Sequence, residues 1–421
     1  MKTTKKAMLL AMSVLVLQCS KDDGPTPPAP EPENQAPGAF ALLQVADNGT
    51  DVDLQPTFSW NTSTDPDGDV VKYDVYLGQE ADPATKIASG LGTASFALND
   101  RLSLIEQYYW KVVAKDGKGK EAQSGTFGFT TRNLKIPSAP VMANAAFSPR
   151  QSPTVVVGDN KLWLVGGFDG TNFKNDVWSS SDGVNWTEVT AAAAFPERNR
   201  HSSVVFNDRL WVFGGVSGGP TGIKNDVWSS DDGADWKQVN QNTPFKARDR
   251  HTTVVFKDLI WLIGGLDKSF SHLNDILSTE DGLLWAGSTA PFSARSSHAC
   301  VVFNDKIWVI GGKDDTGRRN DVWNSSDGVN WIEVTPAAAF SPRSEHKVEV
   351  YDNKMWLIGG YDGDHKNDVW YSEDGINWVK PSIANNIPAR AFFETTVFND
   401  KIWLIGGISG STRLNDVWAF D

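Results

Sequence analysis

The chain has 421 residues, a formal net charge of -13 and 40% hydrophobic residues, which is length enough for two or three domains with cores of their own. An acidic balance of this size argues against an electrostatic grip on nucleic acid or on an anionic membrane face. Two cysteines, Cys19 and Cys300, exclude a disulfide framework, a thiolate metal cluster and a CxxC redox pair, and the 18 Trp residues stand out as the feature to be explained.

Residues 1–18 have the pattern of an export signal. Lys2, Lys5 and Lys6 precede an apolar run from Ala7 to Leu17 that is too short for a permanent membrane span. The run closes on Val16-Leu17-Gln18-Cys19, which resembles a bacterial lipobox; the resemblance implies lipidation of Cys19 and a lipoprotein of the outer membrane. Ser20-Lys21-Asp22-Asp23 is similar to the acidic export tag of surface-exposed lipoproteins, so the expected address is the cell surface. Secretion with cleavage elsewhere is the plain alternative. Residues 19–37 form a linker, with Pro25, Pro27, Pro28, Pro30, Pro32 and Pro37 favouring an extended spacer that packs no core.

Residues 38–132 alternate with the period of half-buried strands at 56–60, 71–77, 108–114 and 125–131. Short strands separated by turn residues predict a small β-sandwich. The Trp60, Tyr73, Tyr109 and Trp110 pattern, with the Lys115–Gly119 hairpin, resembles a fibronectin type III domain. Within it, Asp65-Pro-Asp-Gly-Asp69 brings three carboxylates into five residues, so Asp65, Asp67 and Asp69 are calcium ligand candidates. Asp, Pro and Gly also simply make turns. No other cofactor is indicated.

From residue 133 to 421 one unit repeats six times. Gly pairs fall at 166/167, 214/215, 264/265, 311/312, 359/360 and 406/407, at intervals of 48, 50, 47, 48 and 47 residues. Each copy is predicted to hold four strands: a β-branched run such as Ser203–Phe206, a two-residue polar turn, an aliphatic strand ending in the Gly pair, an Asn-Asp-Val-Trp strand, and a short outer strand after a Ser-x-Asp-Gly turn. A sheet apolar on both faces must stack against its neighbours around an axis. Sixteen of the Trp residues recur at equivalent places in these copies, which marks them as packing groups rather than a sugar platform. The last copy stops at its third strand, and residues 138–142 align with the missing outer strand, so the chain's start is expected to clasp its end.

The Gly pair ending an aliphatic strand, with the downstream Trp, resembles the Kelch repeat. The expected architecture is therefore all-β: a fibronectin type III-like sandwich followed by a six-bladed Kelch-type β-propeller. Arg150, Arg198, Arg248, Arg295, Arg343 and Arg390 recur before each copy, as do four His, and that regularity argues for structural roles. The residue after next from each Arg does not repeat: Ser152, Arg200, Arg250, Ser297, Glu345 and Phe392. The resemblance places this position near the mouth of the central channel, where Arg in some family members binds acidic peptides. Arg200 and Arg250, on adjacent blades, then form a carboxylate clamp. Loop residues Phe168, Arg318 and Tyr361, aromatic or charged, extend the candidate ligand-binding set. Glu349 stands out in an inner strand where other copies mostly place Val, and a buried carboxylate needs a partner.

Enzyme readings are weaker. The Ser-x-Asp-Gly-x-x-Trp turns resemble sialidase Asp-boxes but are one residue short, and Cys300 sits in a packing strand unsuited to a copper radical centre. Six-bladed Kelch proteins also include N-acetylneuraminate epimerase, a mutarotase that needs an acid/base pair in the channel. The expected function is a non-catalytic binding module for a glycan or protein ligand, carried by a monomeric surface lipoprotein that does not bind nucleic acid; a sugar mutarotase is the alternative.

Overall fold

The computed structural model describes residues 31–219 and 222–421, and Cys19 with the rest of the export signal lies outside them. Among the described residues every regular element is a β-strand. The chain divides into two compact units.

The first unit holds the described residues up to Gly49 together with 56–99 and 108–129. Strands Leu42–Gln44, Thr57–Trp60 and Ser95–Ala97 pair in that order as one sheet. In a second sheet Gln107–Lys115 lies between Phe127–Thr131 and Lys72–Gly78. Alternation sends Phe58, Trp60, Trp110 and Val112 inward. There the Phe58 and Trp110 rings sit 4.8 Å apart and Trp60 meets Tyr73 edge-on at 5.4 Å.

The acidic loop departs from the expected ligand set. Asp67 N–H donates to Asp65 Oδ1 at 2.9 Å, closing a turn that leaves the Asp67 carboxylate exposed, where it accepts the Gln35 N–H at 2.6 Å. Asp116 takes its place: ligand oxygens of Asp65, Asp69 and Asp116 all lie within 4.8 Å of one another. Such carboxylates repel unless a positive charge sits nearby, and Lys118 Nζ, 2.8 Å from Asp69, supplies one.

The second unit comprises 130–421 and takes in residues 50–55 and 100–107 of the stretch read as the sandwich. Leu54, Leu104 and Leu134 share one buried cluster with Trp356, Ile402 and Trp418, which explains their membership. Six sheets follow one another along the chain. Their innermost strands are Thr154–Gly158, Ser202–Phe206, Thr252–Phe256, Ala299–Phe303, Lys347–Tyr351 and Glu394–Phe398. Each touches the innermost strands of its neighbours, and the first touches the last.

Local chemistry sets each sheet. The turns Asn207-Asp208 and Asn399-Asp400 hold both residues at positive φ, between 48 and 57°, the twist-matched hairpin turn that Asn and Asp tolerate. Gly233 at φ 75° lies so close to Trp163 that a Cβ would stand 2.2 Å from its ring. A Ser-x-Asp-Gly turn thus seals the Trp of the sheet before it, and Gly183 of the first sheet covers Trp403 of the last in the same way. Burial of these indoles adds to the apolar gain of the stack.

The first four sheets have four strands in the ladder order expected, with a short extra strand Arg248–Asp249 in the third. The fifth ends in a single bridge from Tyr371 to Val379, because Pro381 two residues on cannot extend the ladder. On the sixth sheet, Met142 bridges Val417, exchanging N–H···O bonds of 3.2 and 2.8 Å, so the clasp forms at one residue pair rather than over the whole of 138–142.

Candidate functional site

The recurring Arg residues prepare the site without entering it. Arg198 donates its backbone N–H to Lys174 of the first sheet, while its guanidinium reaches Gly214 O and the Asp226 carboxylate of the second. The same staple recurs with Arg150 and Asp176, Arg248 and Asp275, Arg295 and Asp321, Arg343 and Asp368, and Arg390 and Asp416. In five of the six the Asp belongs to an Asn-Asp-Val-Trp strand and accepts the indole N–H of its own Trp as well, as Asp226 does from Trp228 at 2.8 Å; the third sheet has Asn274-Asp-Ile-Leu277 and no such Trp.

Two residues beyond each Arg the chain must reverse into an inner strand. Ser152, Arg200, Arg250, Ser297, Glu345 and Phe392 all do so with φ between 49 and 57°. Their backbones join around the axis: N–H groups of Arg200, Arg250, Ser297 and Glu345 donate to the carbonyl of the preceding member at 3.3, 3.0, 2.9 and 3.0 Å, and Ser152 donates to Phe392 at 2.8 Å. All six side chains line one axial cavity of about 70 Å³. Positions with unlike residues therefore meet in space because the backbone geometry of the repeat does not vary.

The cavity is electrostatically lopsided. The Arg200 and Arg250 side chains, 27 and 24% exposed, flank Asp249 at 3.8 and 3.6 Å, and Arg250 Nε stands 3.8 Å from Glu345. These are ion-pair distances too long for hydrogen bonds, and Arg200 Nε is buried without a partner. Burial, then the Arg250 charge, pulls the Arg200 pKa down; burial pushes Asp249 up against both guanidinia. Opposite them Ser297 Oγ donates to Glu345 Oε1 at 2.6 Å, and the Phe392 ring lies 5.9 Å from the Arg200 guanidinium.

Below this mouth a second chamber of about 210 Å³ shares His201, His251, Thr252, His298, Lys347 and Glu394 with the first. The His ring is structural. His201, His251 and His298 bond hydroxyls of Thr154, Ser202 and Thr252 at 3.0, 2.8 and 2.9 Å. Burial and the adjacent Arg hold His201, His298 and His346 down to about 3 and His251 well below its usual value, so all four are neutral. Ala299 stands at the position where the preceding copies place Thr or Ser, and His346 Nε2 has no partner. Lys347 Nζ pairs with Glu394 at 2.7 Å. Glu349 keeps contact with the chamber yet lies deep in the protein; burial pushes it up to about 7, against a 2.6 Å hydrogen bond from Thr395. Cys300, pushed up to about 12 by burial, is an inert thiol there.

The expected ligand set divides. Phe168 is not at the axial mouth but in a side groove of about 310 Å³ that shares Arg200 and Arg250 with it. Arg318 and Tyr361 pair with each other instead, guanidinium over ring at 4.5 Å, from the hairpins of the fourth and fifth sheets, and neither lines the axial cavity. Asp249, Asn199, Lys347 and Glu394 went unread. Their signal was the same as that of the mouth residues: the columns Gln151, Asn199, Asp249, Ser296, Ser344, Ala391 and Thr154, Ser202, Thr252, Ala299, Lys347, Glu394 also fail to repeat.

Residues 112–281 match the KLHDC2/KLHL20/DRC7 Kelch-repeats domain, and residues 304–419 match the DUF6242 beta propeller domain. No curated protein is a significant match to the chain. Among solved structures, one titled "Structure of YjhT" superposes with a TM-score of 0.57 at 17% identity, covering 66% of this chain and 96% of that one. At that identity the likeness shows the fold alone. The chain carries a Kelch-type propeller in an all-β framework.

Proposed function

We propose that the chain is a cell-surface lipoprotein, anchored at Cys19, in which a fibronectin type III-like unit precedes a six-bladed Kelch propeller that binds an acidic glycan or protein ligand at its axial mouth. The observation that carries this reading is the pair of guanidinia on adjacent sheets. Arg200 and Arg250 contact Asp249 and Glu345 only at 3.6 to 3.8 Å, and Arg200 Nε is buried with no acceptor. An incoming carboxylate supplies the acceptors that the protein withholds, in the planar geometry guanidinium favours. The test is retention of an acidic glycan or peptide on immobilised protein: Arg200→Ala with Arg250→Ala abolishes it, and full retention rejects the clamp. Labelling with a palmitate analogue tests the anchor, since Cys19→Ala must lose the label.

A second reading rests on Glu349. A carboxyl near 7 in a chamber that also holds Lys347 and Glu394 is poised for proton transfer at neutral pH, as a sugar mutarotase resembling N-acetylneuraminate epimerase would need. Sialic acid anomer exchange followed by NMR separates the two readings, because only an enzyme speeds exchange at catalytic concentration.

A further inference from the structure

We propose that the first unit carries a calcium site formed by Asn34, Asp65, Asp69 and Asp116, and that the ion fastens the end of the Pro-rich stretch to that unit. One oxygen from each of the three Asp lies within 4.8 Å of the others. Calcium takes its oxygens at about 2.3–2.6 Å, so oxygens up to about 5 Å apart can share one ion. Asp65 and Asp69 come from the loop between strands Thr57–Trp60 and Lys72–Gly78, and Asp116 from the turn after Gln107–Lys115. Asp116 is only 5% exposed. The Lys118 ammonium beside Asp69 balances one carboxylate, which leaves two negative charges on the group, the number a divalent cation cancels.

Unsatisfied oxygens point to the same ion independently of the charge. Each Asp spends one oxygen locally. Asp65 Oδ1 accepts the N–H of Asp67 at 2.9 Å, Asp116 Oδ1 accepts those of Lys118 and Lys120 at 2.7 and 3.1 Å, and Asp69 Oδ1 takes the Lys118 ammonium at 2.8 Å. Asp65 Oδ2 and Asp69 Oδ2 are then left buried with no donor. A third segment brings a neutral ligand. Asn34 Nδ2 donates to Asp116 Oδ2 at 2.6 Å, which sets the amide beside the carboxylates, and Asn34 Oδ1 is likewise buried with no donor. Buried acceptors that no N–H or O–H meets are costly, and a cation among them removes that cost. The group remains within an ion's reach, because Asp65 and Asp69 are half-buried residues at the surface of the loop.

Donor chemistry selects the ion. Among the described residues no His or Cys joins the group, so the set is all oxygen and suits a hard cation. Two loops and an incoming strand of chain give an irregular arrangement, which calcium accepts with water completing the shell, whereas magnesium demands a near-ideal octahedron. The position gives the ion a task. Gln35 N–H donates to Asp67 at 2.6 Å and Gly38 N–H to Thr64 O at 2.9 Å, so residues 34–38 run along the acidic loop. An ion shared by Asn34, the acidic loop and the Asp116 turn locks the residues through which the Pro-rich stretch enters the unit.

Calorimetric titration of the EDTA-treated full chain with CaCl2 tests this, with amide exchange at Gln35 and Gly38 as the second readout. Binding is expected at about 0.1–1 mM, the range of extracellular calcium modules. Asp69→Asn removes a charge without touching a turn and should weaken binding about tenfold or more. Asp67→Asn, in the same loop but with its carboxylate turned outward, should bind as the parent does. Calcium should slow exchange at Gln35 and Gly38 about threefold or more in the parent and leave it unchanged in Asn34→Ala. Exchange in strand Gln107–Lys115 under EDTA shows that each variant is folded. Absence of binding at about 10 mM CaCl2, far above the expected range, overturns the site. Equal losses from Asp67→Asn and Asp69→Asn overturn this ligand set, and equal affinity for MgCl2 overturns the assignment to calcium. Binding that leaves Gln35 and Gly38 exchanging as before overturns the fastening.

Discussion

Arg198 and Asp226 meet in parallel, Nη1 to Oδ1 at 2.9 Å and Nη2 to Oδ2 at 2.8 Å, while the Arg198 backbone N–H bonds the preceding sheet at 2.8 Å. One residue therefore joins two sheets, and Asp226, 6% exposed, depends on it for charge balance. Burial acts to raise the Asp226 pKa, but the Arg198 bonds outweigh it and the net shift is downward. Arg198→Met reverses that sign and leaves a buried carboxylate uncompensated, at an expected cost of about 3–5 kcal/mol. Asp226→Leu added to Arg198→Met should recover a large part of the loss. Urea unfolding of the four proteins in this cycle measures the coupling; additive losses would show that the staple is not the unit of stability.

The ring of left-handed residues around the mouth yields a separate expectation. Ser152 adopts φ 49°, a conformation that costs a residue with a Cβ roughly 1–2 kcal/mol and a glycine almost nothing. Against this, glycine loses more entropy on folding, so Ser152→Gly should be neutral or stabilising by up to about 1 kcal/mol. Ser152→Val, with a β-branched side chain in the same place, should destabilise by about 1–2 kcal/mol or more. Thermal melts in which Val is tolerated better than Gly would mean that the ring is not held in this geometry.

The chamber makes a prediction about pH. Glu349 titrates near 4.5 when unfolded and near 7 in the fold, so the folded chain holds an extra proton between those values. Its contribution is complete below pH 4.5 and is lost as pH rises through 7, by no more than about 3 kcal/mol. The four buried His act with the opposite sign, stabilising above the ordinary His range and losing that contribution as pH falls. Comparing Glu349→Gln with the parent cancels the His term. Relative to the variant, the parent should lose melting temperature from about pH 5 to about pH 8. Parallel curves would place Glu349 in contact with bulk solvent.

What could be read from residues alone follows from how each feature is encoded. The Gly pairs and the Ser-x-Asp-Gly turns answer to local backbone demands, a positive φ beside a neighbour's Trp or carbonyl, so they recur at fixed spacing and declare the sheets. The mouth residues were legible for the opposite reason: Arg200 and Glu345 break a column that the fold otherwise treats identically. Asp249 and Glu394 break adjacent columns, and only their shared cavity shows that those columns matter. Asp116 could not be found from the spacing of Asp65 and Asp69, since it arrives on a different loop, just past the strand Gln107–Lys115, and Asp67 was lost to a turn whose hydrogen bond decides its direction. The Arg staples were foreseen as structural, but their Asp partners lie 25 to 28 residues further along the chain, beyond any local pattern.

The clasp at the end of the chain supplies the last test. Met142 and Val417 exchange two backbone hydrogen bonds, Ala145 N–H donates to Asn415 O at 3.0 Å, and Lys135 N–H donates to Asp421 O at 2.7 Å. Asn415 Nδ2 donates in turn to the carbonyls of Ala145 and Phe147, so both backbone and side chain tie the first residues of the unit to its final strand. Without this segment the strand Thr412–Phe420 becomes an open sheet edge. Deleting residues 133–146 should lower the melting temperature sharply. Met142→Pro is the milder probe: it removes the Met142 donor, and the expected cost is about 1–3 kcal/mol. If the deletion melts with the parent and Met142→Pro is silent, the last sheet is held by its packing against the first and fifth sheets, and the strand-to-strand closure contributes nothing.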